Sequence, residues 1–294
     1  MFLWAICFPL IVIGLPHAPH VTFATLRALL AGVLLLTIAV IMKRPQPNTL
    51  MDWFLISCIG LGATTLGFFG MFHASEFVSP GIATVIANTQ PLMAAMLTGL
   101  FLKERLNQRG ITGLALAFSG VLIIALPSLI SETESSYNIG IFYIILSALG
   151  ITVSNILIRR AASHIDALSA MGWQLTIGSL FLAMISLLTE DISTITWNGA
   201  FIVSLLGLAL PGTALAYWLW CHVLEDIELN QANAFSFLVP IFGLVLGFLF
   251  FDEEISKSTT ISISVIILGI VLVNWPKSKS DTPLSAEKTN QDNK

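Results

Sequence analysis

Asn88, Thr89, Gln90 and Pro91 stand together inside a run that is otherwise apolar. Three consecutive polar side chains in such a run are unfavourable unless they face protein or water. Successive residues point about 100° apart on a helix, so at most two share one surface. Asn88 and Gln90 are the pair expected to hydrogen-bond a solute. The alternative is bonding between helices, worth about 0.6 kcal/mol per bond. Pro91 lacks a backbone donor and crowds the carbonyl of Ala87, and Pro240 does the same to Ser236. A carbonyl freed in lipid needs a partner, which a wet cavity or a solute supplies. Ser236 therefore joins the candidate solute contacts, and Pro91 and Pro240 become candidate hinges. A plain kink, satisfied by a neighbouring helix, is the other use of such prolines.

A second polar and aromatic set consists of Asn155, Gln174, Tyr217 and Trp218. The two amides are candidate hydrogen-bond partners for a solute. Tyr217 and Trp218 could line a cavity or stack on an aromatic or cationic molecule. Trp220, nearer its run's end, reads as an interface anchor. Arg27 is the one basic residue well inside an apolar run. It could snorkel to the surface, pair with Glu76 or bind a substrate carboxylate; a structural or gating role is the expectation. His73 and His222 lie at run ends, where they could carry protons or simply sit at the interface.

Other chemistries lack their residues. There is no G-x-x-x-x-G-K-[ST] loop, H-E-x-x-H pair, C-x-x-C or G-x-S-x-G elbow. No catalytic residue, metal site or cofactor is expected. Cys7, Cys58 and Cys221 have neither metal-ligand nor disulfide spacing. No basic surface suggests nucleic acid. An embedded enzyme would need converging acids, bases or a metal, and a scaffold or receptor subunit would need a docking domain. Neither is visible.

These groups must be positioned by helices in lipid. The 294 residues are 56% hydrophobic and 10% charged, with mean hydropathy +0.88. Soluble chains average about 25% charged. Spans of membrane length are expected at about 1–15, 21–42, 53–73, 79–102, 110–127, 139–158, 167–188, 199–221, 230–251 and 259–275. The first is short, and the chain is expected to begin inside its first helix. No basic stretch opens residues 1–15, so a cleaved leader is not expected. The polar tail, 276–294, lacks apolar periodicity and is expected to be disordered. Counting alternate connections, 11 Lys and Arg fall on one side, tail included, and only Lys257 on the other. Positive charge stays in the cytoplasm, which places both termini there.

The chain also repeats itself. Pro91 maps to Pro240, an offset of 149, and the same offset carries Thr64 to Thr213, His73 to His222, Glu104 to Glu253 and Gly120 to Gly269. A duplicated unit is the usual mark of a secondary transporter. Five helices per unit is odd, so the second unit enters the membrane inverted. The basic elbow Lys103-Glu104-Arg105 becomes the acidic Asp252-Glu253-Glu254, as opposite orientation requires. The fold expected is an all-α polytopic membrane protein of about ten transmembrane helices in two inverted five-helix repeats. Residues 1–127 form the first repeat, 128–138 an external connection and 139–275 the second repeat. Gly243 and Gly247, with Ala94 and Thr98 at the equivalent places, are expected to pack the repeats together or form a homodimer contact.

The proline-containing helices, the Glu elbows, Gly120-Val121-Leu122, Gly269-Ile270-Val271 and Phe23-Ala24-Thr25-Leu26-Arg27 resemble the EamA-type family of the drug/metabolite transporter superfamily. An aromatic-Gly pair usual in the first helix reads Trp4-Ala5 here. The resemblance implies a secondary transporter in the bacterial inner membrane that exports a small organic metabolite, amino acid or drug-like solute by alternating access. Its partners would be that solute and the lipid bilayer.

Overall fold

The computed structural model describes residues 1–74, 77, 87–102, 106–131, 137–251 and 257–275. All regular structure among them is helical. In chain order, α1 is Phe2–His17, α2 His20–Ile41, α3 Leu50–Ala74 and α4 Gln90–Phe101. Next come α5 (Gln108–Ser131), α6 (Tyr137–Ala161), α7 (Ala167–Thr189) and α8 (Gly199–Asp226). α9 is built from Leu229–Ala234, a 3-10 turn at Phe235–Phe237 and Leu238–Phe251; α10 is Lys257–Val273.

Five stretches are long and apolar enough to cross a membrane: His20–Ile41, Leu50–Ala74, Ile139–Ala161, Ala167–Thr189 and Gly199–Asp226. Phe2–His17, Gln108–Ile123 and Thr260–Val273 are shorter apolar helices. Helix α5 runs on to Ser131 and α6 starts at Tyr137, so both reach into the 128–138 stretch read as a connection. The elbows at 103–105 and 252–254, Glu76 and the tail at 276–294 lie outside the described residues.

The polarity of the bundle suits a lipid solvent. Leu180, Met184, Leu187 and Leu188 on α7, and Ile202, Val203 and Leu206 on α8, are exposed. Thr64, Ser154, Ser169, Gln174, Ser204 and Thr213 are fully buried. In hydrocarbon the backbone must be satisfied internally, so helices are the only open-chain solution. Their free ends are capped where water returns. Thr49 and Asp52 bond reciprocally at the start of α3 (3.1 and 3.2 Å), and Asp166 accepts from Leu168 N and Ser169 N at the start of α7 (3.0 and 3.2 Å).

Small residues let the helices touch through their backbones. A Cβ on Gly32 of α2 would lie 2.8 Å from Thr176 N of α7. One on Gly62 of α3 would lie 2.7 Å from Gly150 O of α6, and one on Gly113 of α5 the same distance from Gly269 O of α10. Two apolar cores result. The larger joins α1, α2, α3, α6, α7, α8 and the start of α9; the smaller joins α5, the rest of α9 and α10.

Two helices change their winding midway. α3 passes through a π-turn at Gly60–Leu66, and α8 through one at Leu210–Leu215. The offset of 149 carries residues 61–66 onto 210–215, so the second π-turn falls inside the image of the first. Such turns widen the backbone ring and collect at functional sites. The proline helices break as well. Asn88 and Thr89 form a turn ahead of α4, and the 3-10 turn of α9 immediately precedes its Leu238–Phe251 segment.

Candidate solute-binding site

The π-turn of α8 presents Thr213 to α2. Its hydroxyl donates to Leu208 O (2.8 Å) and accepts from Arg27 Nε (2.7 Å). Arg27 Nη2 also reaches Cys7 Sγ and Gly212 O, each at 3.5 Å, and the guanidinium carbon lies 4.7 Å from the ring centre of Phe68. Arg27 is 6% exposed, and none of these partners is a carboxylate. The guanidinium is therefore held by a hydroxyl, a thiol, a carbonyl and an aromatic face. It neither snorkels nor pairs with a described acid. A cation in this setting costs about 2.5–3.5 kcal/mol on insertion scales, which an anionic group of a bound molecule would offset.

The π-turn of α3 presents Thr64 to α7 in the matching way. Thr64 Oγ1 donates to Gln174 Oε1 (2.8 Å), and the adjacent Thr65 Oγ1 donates to Gly178 O (3.0 Å). Gln174 is fully buried, and its Nε2 has no hydrogen-bond partner among the described residues. That donor is the kind of group a polar solute or a water satisfies.

A cavity of about 310 Å³ opens between α1, α8 and α9. Its walls include Leu3 and Trp4 of α1, Leu219 and Trp220 of α8, and Ala232 and Phe235 of α9. The surface is mostly apolar, suiting an aromatic or aliphatic body. None of the residues nominated from sequence forms its wall. Asn155 stands behind it and accepts from Trp220 Nε1 at 2.9 Å. Trp220 is 6% exposed and packs on Trp4, with centroids 5.4 Å apart. Its expected role as an interface anchor is therefore wrong: the indole nitrogen is satisfied by an amide inside the protein. Tyr217 is buried with its ring 6.4 Å from Trp4, whereas Trp218 is half-buried against His222.

Arg27's described hydrogen bonds and ring contact include none of the α4 and α9 candidates. Asn88 is buried, and Gln90 is partly buried at the start of α4. Ser236 Oγ donates to Asn233 O at 2.6 Å, so its hydroxyl is engaged within the turn before Pro240. Thr98 of α4 donates to Asn230 Oδ1 of α9 (2.9 Å), as expected for packing between the two. Among the described residues Gly243 does not pack the repeats together: a Cβ there meets no described atom within 4 Å. Gly247 lies outside the described side chains.

A model of the EamA-like transporter family matches residues 1–126 and 138–275. The chain belongs to the EamA-like transporter family. It is thus a multi-pass membrane transporter of the drug/metabolite type, not an enzyme. It is 27% identical to a WAT1-related chloroplastic protein of Arabidopsis thaliana over 86% of this chain, spanning 62% of that longer protein. It is 28% identical to a Salmonella typhimurium protein named "Probable amino-acid metabolite efflux pump", covering 92% of this chain and 90% of that one. A solved crystal structure shares the fold, with TM-score 0.79 at 16% identity over 92% of this chain and 93% of the other.

Several contacts of this EamA chain were not nominated from sequence. Thr64 and Thr213 were visible only as a repeat-matched pair, and Cys7 only as a small core residue. Asn233, 2% exposed with its Nδ2 unpartnered among the described residues, carried no signal beyond being an amide beside an apolar run. His20 and Glu190, which meet at the end of the bundle where α1 leads into α2, had none at all.

Proposed function

We propose that this EamA protein is a ten-helix secondary carrier that exports a small organic solute by alternating access between two inverted repeats, residues 1–127 and 139–275. The candidate solutes are amino acids, other metabolites and drug-like molecules. The protein would lie in the bacterial inner membrane with both termini cytoplasmic. Arg44, Arg159 and Arg160 gather at the end of the bundle that would then face the cytoplasm, bonded to Asp166, to Leu224 O and Glu225 O, and to Phe101 O.

The observation that carries this reading is the pair of π-turns at matching offsets, each presenting a threonine across the repeat boundary. Thr213 of the second repeat meets Arg27 of the first, and Thr64 of the first meets Gln174 of the second. Broken helices at a repeat interface are where secondary transporters build their sites and flex. Arg27, Pro91 and Pro240 then act as gate and hinges. Asn88, Gln90, Asn155, Gln174, Tyr217, Trp218 and Ser236 supply solute contacts. Export is supported by the efflux-pump name of the Salmonella relative.

The test is reconstitution into liposomes, with thermal-shift screening of amino acids, nucleosides, polyamines and cationic drugs, followed by flux of each hit. A stabilising solute that is transported, and whose effect is lost in Gln174→Ala or Asn88→Ala, supports the carrier and its site. A stabilising solute that never crosses the membrane contradicts the carrier reading.

A further inference from the structure

The apolar cavity and the buried cation lie end to end. Leu3 of α1 and Ala216 of α8 belong to the cavity wall. About one turn away along the same two helices stand Cys7 and Gly212. Cys7 Sγ lies 3.4 Å from Leu3 O and 3.6 Å from Gly212 O. Arg27 Nη2 reaches both Cys7 Sγ and Gly212 O, each at 3.5 Å. Two separate helices therefore lead from the wall to the guanidinium, each in a single turn. The rest of the α8 wall runs the opposite way, through Leu219 and Trp220 to Val223. On the proposed topology that end faces the cytoplasm, so Arg27 stands past the inner end of the cavity. Its Nε is engaged by Thr213 and its Nη2 by two long contacts, whereas Nη1 makes no hydrogen bond among the described residues. Among those residues no acidic side chain lines the cavity.

We propose that the cavity and Arg27 form one site for an apolar monocarboxylate, whose aromatic or aliphatic body fills the cavity and whose carboxylate reaches Arg27 Nη1. This names a solute class for the carrier and rests on that reading for entry from the cytoplasm; the binding itself does not. The chemistry selects one sign of charge. Arginine stays protonated throughout the working pH range, and its planar fork matches the two oxygens of a carboxylate. A buried cation held by a hydroxyl, a thiol, a carbonyl and a ring gains most from an anion. An organic cation finds no acid here. A zwitterion would bring a carboxylate to Arg27 but leave its ammonium without one. A neutral amphiphile would fill the cavity and leave Nη1 unmet. At about 310 Å³ the space is near the small end of ligand pockets, ~300–1,000 Å³, which suits a body built on a single aromatic ring. Trp4 and Trp220, packed 5.4 Å apart on its wall, offer that ring aromatic contact.

The test compares para-bromophenylbutanoate with its neutral amide, two probes alike in shape and different in charge. Saturable binding to the full chain in liposomes is read from bromine quenching of tryptophan fluorescence. We expect the acid to bind about tenfold more tightly than the amide, the usual gain from a charge-assisted hydrogen bond. Arg27→Gln should bring the two probes to equal affinity. Val223→Phe, which narrows the cavity, should weaken both. If Arg27→Gln does not fold, Cys7→Asp decides, because it supplies a carboxylate to Arg27 from the protein and should remove the preference in the same way. Equal affinities in the wild type, no saturable binding of either probe, or a preference that survives the charge-removing variants overturns the proposal. So does acid binding untouched by Val223→Phe. Flux separates this site from the carrier reading. An acid that binds as expected and is never carried contradicts the carrier alone, whereas carriage of other solutes with the acid unbound contradicts this site alone.

Discussion

The π-turns of α3 and α8 sit at matching places along the chain, and each offers a buried threonine hydroxyl to a helix of the other half. Their partners differ in kind. Thr64 meets the neutral amide of Gln174, whereas Thr213 meets the guanidinium of Arg27. Around Thr64 the helices are closed tightly: a Cβ on Gly178 would lie 2.5 Å from Thr64 Cβ and 2.6 Å from Gly60 O. Beyond Thr213 lie an aromatic cluster of Trp4, Tyr217 and Trp220 and the apolar cavity behind it. The same backbone device therefore meets a neutral amide between close-packed helices in one half and, among the described residues, a cation without a carboxylate partner in the other. On the proposed duplication, the break is inherited in both halves and divergence of a few side chains assigned it different work.

The largest expected effect breaks this difference outright. Arg27→Gln would give the α8 break the neutral chemistry of the α3 break. If the cation anchors a charged group of the solute, flux should fall about 100-fold, since stranding a buried charge costs about 3–5 kcal/mol. The thermal midpoint should change little. Unchanged flux would mean that Arg27 is structural and the two breaks are equivalent.

Packing gives the next effect. Gly178→Val should destabilise by about 1–3 kcal/mol through overpacking against Thr64, read from unfolding in detergent. Gly243→Ala, where no described atom lies nearby, should leave stability unchanged. Thr64→Val should cost about 0.6 kcal/mol, the usual worth of an interhelical hydrogen bond in lipid, and leave flux nearly intact. A flux loss as large as that of Arg27→Gln would remove the distinction between the halves.

The smallest effect lies outside the membrane. The hydroxyl and amide of Ser193 hold the Asp191 carboxyl below its ordinary value of 3.8. Its contribution to stability is present above that value and disappears as pH falls through the lower folded value. Asp191→Asn should flatten this acid-range step in unfolding midpoints and leave flux at neutral pH unchanged.

Much of the fold was legible because lipid enforces it. Long apolar runs must be helices, and the expected spans at 21–42 and 167–188 became His20–Ile41 and Ala167–Thr189. The prolines marked the breaks at Asn88–Thr89 and Phe235–Phe237 for the same reason: a missing donor disrupts local winding wherever it occurs. The π-turn of α3 carried no such mark, because Gly60–Leu66 is an ordinary small-residue stretch whose extra backbone ring depends on its neighbours, whereas that of α8 contains Pro211, a missing donor of the same kind. Site contacts were legible only by residue type. Asn155 and Trp220 were both noticed, but nothing in their spacing told that they bond each other across α6 and α8. Glu190 was invisible because it caps a helix about 170 residues away in sequence, a contact no local signature records.

The central claim is that the two halves carry the same unit in opposite orientation. Asn48 and Trp197 test it most directly, being exposed, uncharged and separated by the offset of 149. Each would be changed to cysteine in a background with Cys7, Cys58 and Cys221 replaced, then treated in intact cells with a membrane-impermeant maleimide. The account predicts that Trp197→Cys is labelled from outside, and that Asn48→Cys is labelled only after the membrane is opened. Labelling of both from the same side would contradict the inverted repeat.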